Sequence, residues 1–208
     1  MAEFSDFYKD VVAQLPGAPL VMVDYALLQT AIDFCETSLI LQVNADPISL
    51  RPNVPEYEIA VDDDQLLVAQ IMEAKIDGRR LPAVALDLRN TTIWPSQTYE
   101  WGDSEVDDPM SIRILGTPEE PATLTLRVAL KPKQDASSLP DDLYKHHRVA
   151  IGYGAMARMM LQPGKTWSNT PLGSYREKEY AAFRNQAQVD ANKGQTRADL
   201  RVRPRPFA

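Results

Sequence analysis

The chain has one cysteine, Cys35, and two histidines among its 208 residues. A single thiol excludes an internal disulfide framework and suits folding in a reducing cytosol. The histidines, His146 and His147, are adjacent. Neighbours on a helix point about 100° apart, so this pair cannot grip one metal as i, i+4 histidines do. No apolar run approaches the length needed to span a bilayer. The start, Met1-Ala2-Glu3-Phe4, is acidic and lacks the basic, then apolar, pattern of a secretion signal. Neither export nor a membrane partner is expected.

Catalytic motifs are also missing. Gly164-Lys165-Thr166 resembles the end of a phosphate loop, but that pattern needs a glycine where Met159 stands. Gly152-Tyr153-Gly154 is a fragment of a dinucleotide motif with no third glycine, and small residues there suit close helix packing. No Gly-x-Ser-x-Gly and no nucleophile with a nearby base appears. Cys35 lies in an apolar helical stretch and reads as core. No enzyme, no cofactor and no metal site is expected.

What is present is a divided charge. Residues 133–208 hold 13 Lys+Arg against 7 Asp+Glu, and residues 1–132 hold 9 against 22, within a total of −7. An acidic section followed by a basic one suits contact between copies or with a partner. The plainer reading is a solvated surface with accidental asymmetry.

Periodicity divides the chain further. Phe4, Phe7, Tyr8, Val11 and Leu15 recur at helical spacing before Pro16-Gly17, which predicts a first helix. A second helix is expected from about Pro19 to Leu39, buried over more than half its circumference, with Leu20, Val21 and Val23 among its apolar residues. Asp24 falls inside that apolar arc. It either reaches water near the helix start or pairs with a basic residue such as Arg148 or Arg158.

The middle holds nine of the sixteen prolines and reads as strands and turns. Strands are expected at Tyr57–Val61, Leu66–Ile76, Val84–Leu88, Met110–Leu115 and Ala122–Leu130, with a hairpin at Asp77-Gly78. Their alternation favours an antiparallel sheet. Trp94, Tyr99 and Trp101, with Glu100, Asp103, Glu105, Asp107 and Asp108, mark an exposed aromatic and acidic loop or hairpin tip.

The third section is helical again. Pro140-Asp141-Asp142 opens a helix that runs to about Leu161, and Asn169-Thr170-Pro171 opens another that runs to about Asn192. The former has two apolar stripes: Tyr144, Ile151, Ala155 and Met159, then Val149, Tyr153, Met156 and Met160. Two stripes place it centrally in a bundle or against another subunit. Leu172, Tyr175, Ala182, Phe183 and Val189 are the last helix's apolar contribution. The chain ends Arg201-Val202-Arg203-Pro204-Arg205-Pro206-Phe207-Ala208. Proline at these positions rules out a helix or a central strand, which predicts an extended basic arm that reaches a partner. Proline and phenylalanine favour an acidic protein groove over DNA as its target.

The expected architecture is α+β. Helix pairs at 1–40 and 136–193 form a four-helix bundle. An antiparallel β insertion occupies 41–135 and an extended tail 194–208.

This order resembles the head–tail connector (adaptor) proteins of tailed bacteriophages, most of all the podovirus tail tubular protein A group. The likeness is carried by Val23-Asp24-Tyr25-Ala26-Leu27, Ala31–Glu36, Ile76-Asp77-Gly78-Arg79, Leu139–Tyr144, Gly154–Met159, Pro163-Gly164-Lys165 and Trp167-Ser168-Asn169. The resemblance implies a non-enzymatic virion protein, made in the host cytoplasm, whose copies (commonly twelve) form a ring. That ring sits beneath the portal protein, receives the tail tube or nozzle on its other side, and lets DNA pass without specific binding. It implies a portal-binding tail at Arg201, Arg203, Pro204, Arg205 and Phe207. It also implies subunit-interface or bundle-packing roles for Asp24, Arg148, Tyr153, Met156, Arg158 and Met160. Trp94, Tyr99, Trp101, Asp103 and Glu105 would form a tail-facing or channel loop. The alternative is a small DNA-binding or DNA-packaging accessory protein that uses the basic C-terminal section.

Overall fold

The computed structural model describes residues 1–81, 98–102, 111–115 and 120–193, with the backbone alone at 98–102 and 115. The expected strand at 84–88 lies outside these residues, as do Trp94, Asp103, Glu105 and the arm from 201 to 208.

The chain begins in β1 (Ala2–Glu3), followed by a 3-10 turn at Phe4–Phe7, one α turn in α1 (Tyr8–Val11) and a second 3-10 turn at Val12–Gln14. The expected first helix is therefore broken. Phe7, Val11 and Leu15 are all buried at i, i+4 spacing, so the periodicity marks the right face. Two adjacent β-branched residues, Val11-Val12, interrupt a segment already too short to hold an α-helix unaided.

The chain turns at Gly17, where φ is +79°, and enters α2 (Leu20–Ser38). That helix stops at Leu39, which adopts a left-handed conformation and returns its N–H to the Cys35 carbonyl at 2.9 Å. Short strands β2 (Gln42–Asn44), β3 (Ile48–Leu50) and β4 (Glu56–Glu58) follow. Then come β5 (Leu66–Ile76) and β6 (Arg79–Arg80), joined at Asp77-Gly78. Both turn residues have positive φ, 47° and 81°, as a two-residue hairpin of this twist requires. The remaining strands are β7 (Thr98–Gly102), β8 (Ser111–Leu115), β9 (Ala122–Pro132) and β10 (Ser138–Leu139). Two long helices close the described chain, α3 (Asp141–Met160) and α4 (Thr170–Asn192).

Strand β9 organises the larger sheet, in the order β2-β9-β5-β6, with β3 also on β9. A separate three-stranded sheet runs β4-β8-β7, and β1 pairs with β10. All pairings are antiparallel. The β1–β10 ribbon ties the chain start to the head of α3, where the terminal ammonium lies 3.0 Å from Asp141.

The class is α+β, but the four-helix bundle with one β insertion is contradicted. The described chain has three long helices, one broken helical segment and several antiparallel sheets. Alternation at Leu66–Ile76 and Ala122–Pro132 builds a sheet with its own apolar core, from Leu50 through Ile71 and Ile112 to Leu130. A second core gathers Phe7, Leu27, Phe34, Ile151 and Met159 among the helices. Leu41 packs against both.

Candidate assembly interface

Helix α3 lies between α2 and α4. Phe34 of α2 meets His147 at a ring distance of 5.0 Å, and Tyr153 meets Phe183 of α4 at 6.1 Å. Most of both predicted stripes of α3 is used inside one chain: Ile151, Ala155, Met156, Met159 and Met160 are buried, while Val149 is exposed. Met156 and Met160 lie in the core of the chain itself. Small residues allow the close approach. A Cβ on Gly154 would collide with Thr30 Cγ2 and lie 2.9 Å from Tyr180 Cδ2.

Polar pairs cross the helices. Tyr180 donates to Asp33 at 2.6 Å, and Arg184 pairs with the same carboxylate at 3.0 Å. Burial, then the Asp33 hydrogen bond, pushes the Tyr180 phenol well above its ordinary value. Arg176 stacks 4.3 Å over the half-buried Tyr153 and pairs with Glu179 at 2.7 Å.

The predicted pairing of Asp24 with Arg148 or Arg158 is absent within the chain. Asp24 accepts a hydrogen bond from Tyr8 at 2.6 Å, which raises the Tyr8 phenol to about 12. Arg148 instead pairs with Asp10 at 2.9 Å and lies 5.6 Å over the Tyr144 ring. Arg158 is exposed. The broken first segment explains the exchange: it carries Tyr8 and Asp10 to the positions that a partner helix was expected to fill.

Among the described residues, a different set of apolar side chains stays exposed. On the first turns of α2, Leu20 is exposed, with Val21 at 78 % and Tyr25 at 60 %. The predicted burial of Leu20 and Val21 is therefore corrected. Helix α4 likewise buries Gly173, Tyr180, Ala187 and Ala191, while Tyr175 and Phe183 are 56 % and 45 % exposed. Tyr175, Ala182 and Val189 repeat every seven residues on its outer side, the spacing of a helix–helix seam. The sequence signal was present, since these residues had been assigned to the bundle's own core. What was missing was the knowledge that smaller residues do that packing.

Of the aromatic loop, Tyr99 and Trp101 lie in β7, paired with Ile114 and Ile112 of β8. Among the described residues, no group of three His, Cys, Asp or Glu residues is placed to hold a metal, and no helix is long and apolar enough to cross a membrane. Compared with known proteins, the chain matches no family model and no curated protein.

Proposed function

We propose that the chain is a virion structural protein whose copies form a ring that joins the capsid portal to the tail and continues the DNA channel. One observation carries this reading. Large apolar side chains stay exposed on α2, at Leu20, Val21 and Tyr25, and on α4, at Tyr175, Phe183 and Val189. Covering a large apolar side chain contributes about 1–2 kcal/mol when it starts partly exposed. A ring built head to tail requires two different faces on each copy, and the starts of α2 and the outer line of α4 supply two candidates. The connector resemblance implies a ring of several copies, commonly twelve. On this reading Arg201, Arg203, Pro204, Arg205 and Phe207 dock in a portal groove, and the segment bearing Trp94, Tyr99, Trp101, Asp103 and Glu105 faces the tail or channel. The protein is made in the host cytoplasm and ends in the neck of the particle.

The test is a docking assay on purified portal with the chain lacking residues 199–208. Docking is lost and the unfolding temperature is unchanged. Docking that survives the deletion overturns the assignment of the arm.

The DNA-binding alternative needs free cations on the basic C-terminal section. Arg148, Arg176 and Arg184 are each committed to a carboxylate of the same chain, and the whole chain is acidic at −7. Both facts oppose phosphate binding. A salt-dependent DNA mobility shift would favour the alternative.

A further inference from the structure

A groove of about 430 Å³ lies where α3 and α4 meet the start of β2, lined by Gln42, Asp142, His146, His147 and Asp190. The connector reading gives this groove no role. It holds both histidines of the chain. The His147 ring packs on Phe34 at 5.0 Å, and Asp190 uses one oxygen to accept from Gln186 at 3.0 Å. Burial, then the neighbouring His146, holds the His147 imidazole below its ordinary value. Above neutral pH the His147 imidazole is therefore uncharged, and Asp142 and Asp190 bring negative charge to the groove.

We propose that this groove is the resting site of the C-terminal segment 194–208 of the same chain, with its arginines seated beside Asp142 and Asp190. Three observations converge. The first is where the chain leaves the described body. Asp190 stands in the groove wall within the last turn of α4, which ends at Asn192. The second is charge, since segment 194–208 carries four arginines against the one carboxylate side chain of Asp199. The third is reach. Seven residues separate Lys193 from Arg201, and a stretch of that length spans up to about 25 Å. So short a tether holds the arm at an effective concentration in the millimolar range. A groove of weak intrinsic affinity is then enough to hold it. In an extended backbone Arg201, Arg203 and Arg205 share one side, which lets them face an acidic wall together.

This inference concerns the free chain and does not need the connector reading. It adds that any partner of the arm must displace it from its own groove.

The two histidines make the test simple, because their imidazole proton signals report on the groove without further labelling. Full-length chain is compared with full-length R201Q/R203Q/R205Q at low salt, slightly above neutral pH. A synthetic peptide of residues 194–208 is then titrated into the triple variant. The expected result is a difference in both histidine signals between the two chains, closed by the peptide in a saturable manner. That difference is lost in full-length D142N/D190N. Identical histidine signals in the wild-type and triple-variant chains, or a peptide response that does not saturate, overturns the proposal. Portal docking is read in a separate assay with portal present, so failure here leaves the connector reading standing, and failure there leaves this one.

Discussion

Gly154 sits on α3 between Thr30 of α2 and Tyr180 of α4. A methyl group at this position has nowhere to go. Thr30 is fixed by its own hydrogen bond to the Ala26 carbonyl at 2.7 Å, and Tyr180 is held by Asp33. Gly154→Ala is expected to destabilise the fold by about 1–3 kcal/mol through overpacking, read as a lower denaturant midpoint with an unchanged slope. Tyr180→Phe removes a bond to a charged group and is expected to cost about 1.5–3 kcal/mol. Three weak acids also make stability depend on pH. Burial, then the Glu36 charge, raises the Cys35 thiol from 9.0 to about 12. The hydrogen bond to Asp24, then burial, raises Tyr8 from 10.0 to about 12, and Tyr180 rises further. Each folded value lies above the unfolded one, so the folded state favours the protonated form. Their stabilisation is complete below pH 9 and is lost as pH rises from 9.0 through about 12. Denaturant midpoints measured across that range should fall steadily, and Tyr8→Phe should make the fall shallower. The same burial keeps Cys35 from reacting with thiol reagents until the chain unfolds.

At the scale of elements, the β5–β6 hairpin was legible because its chemistry is local. Asp77-Gly78 between two alternating runs has few other readings. Asp77 also accepts the Thr123 N–H at 2.9 Å, which fixes the turn against β9. Gly78 has φ +81° and nothing within 4 Å of an added Cβ. Gly78→Ala is therefore a pure backbone test, expected to cost about 1–2 kcal/mol from left-handed strain alone, and urea unfolding measures it. The long strands and α2, α3 and α4 were legible for a similar reason, since their apolar period continues over many residues. The first helix was not. Its apolar spacing predicted the buried face correctly, but spacing alone does not distinguish one α-helix from a chain of 3-10 and α turns that present the same residues. The Asp24 pairing expected within one copy is missing for the same reason. The tyrosine that satisfies Asp24 comes from this broken segment, and no periodicity reveals which of several polar residues a fold brings near.

At the scale of the whole molecule, the sequence separated helical from β sections but misjudged their balance. Two apolar cores, one among the helices and one in the sheets, make the β part a structural half and not an insertion on a bundle. The candidate interface was half legible. The apolar residues of α2 and α4 were visible, yet which of them face outward depends on Gly173, Ala187 and Ala191 taking the inner positions of α4. Substitutions on that outer surface separate assembly from folding. Val21→Glu is expected to leave the unfolding free energy within about 0.5 kcal/mol, as an exposed position allows, while ring formation on the portal is lost. The central claim is tested most directly by the mass of the chain, alone and mixed with the portal ring that the proposed function requires, measured in solution. The account predicts one complex that contains the portal and many copies of this chain. Two components that keep their separate masses in the mixture would contradict it.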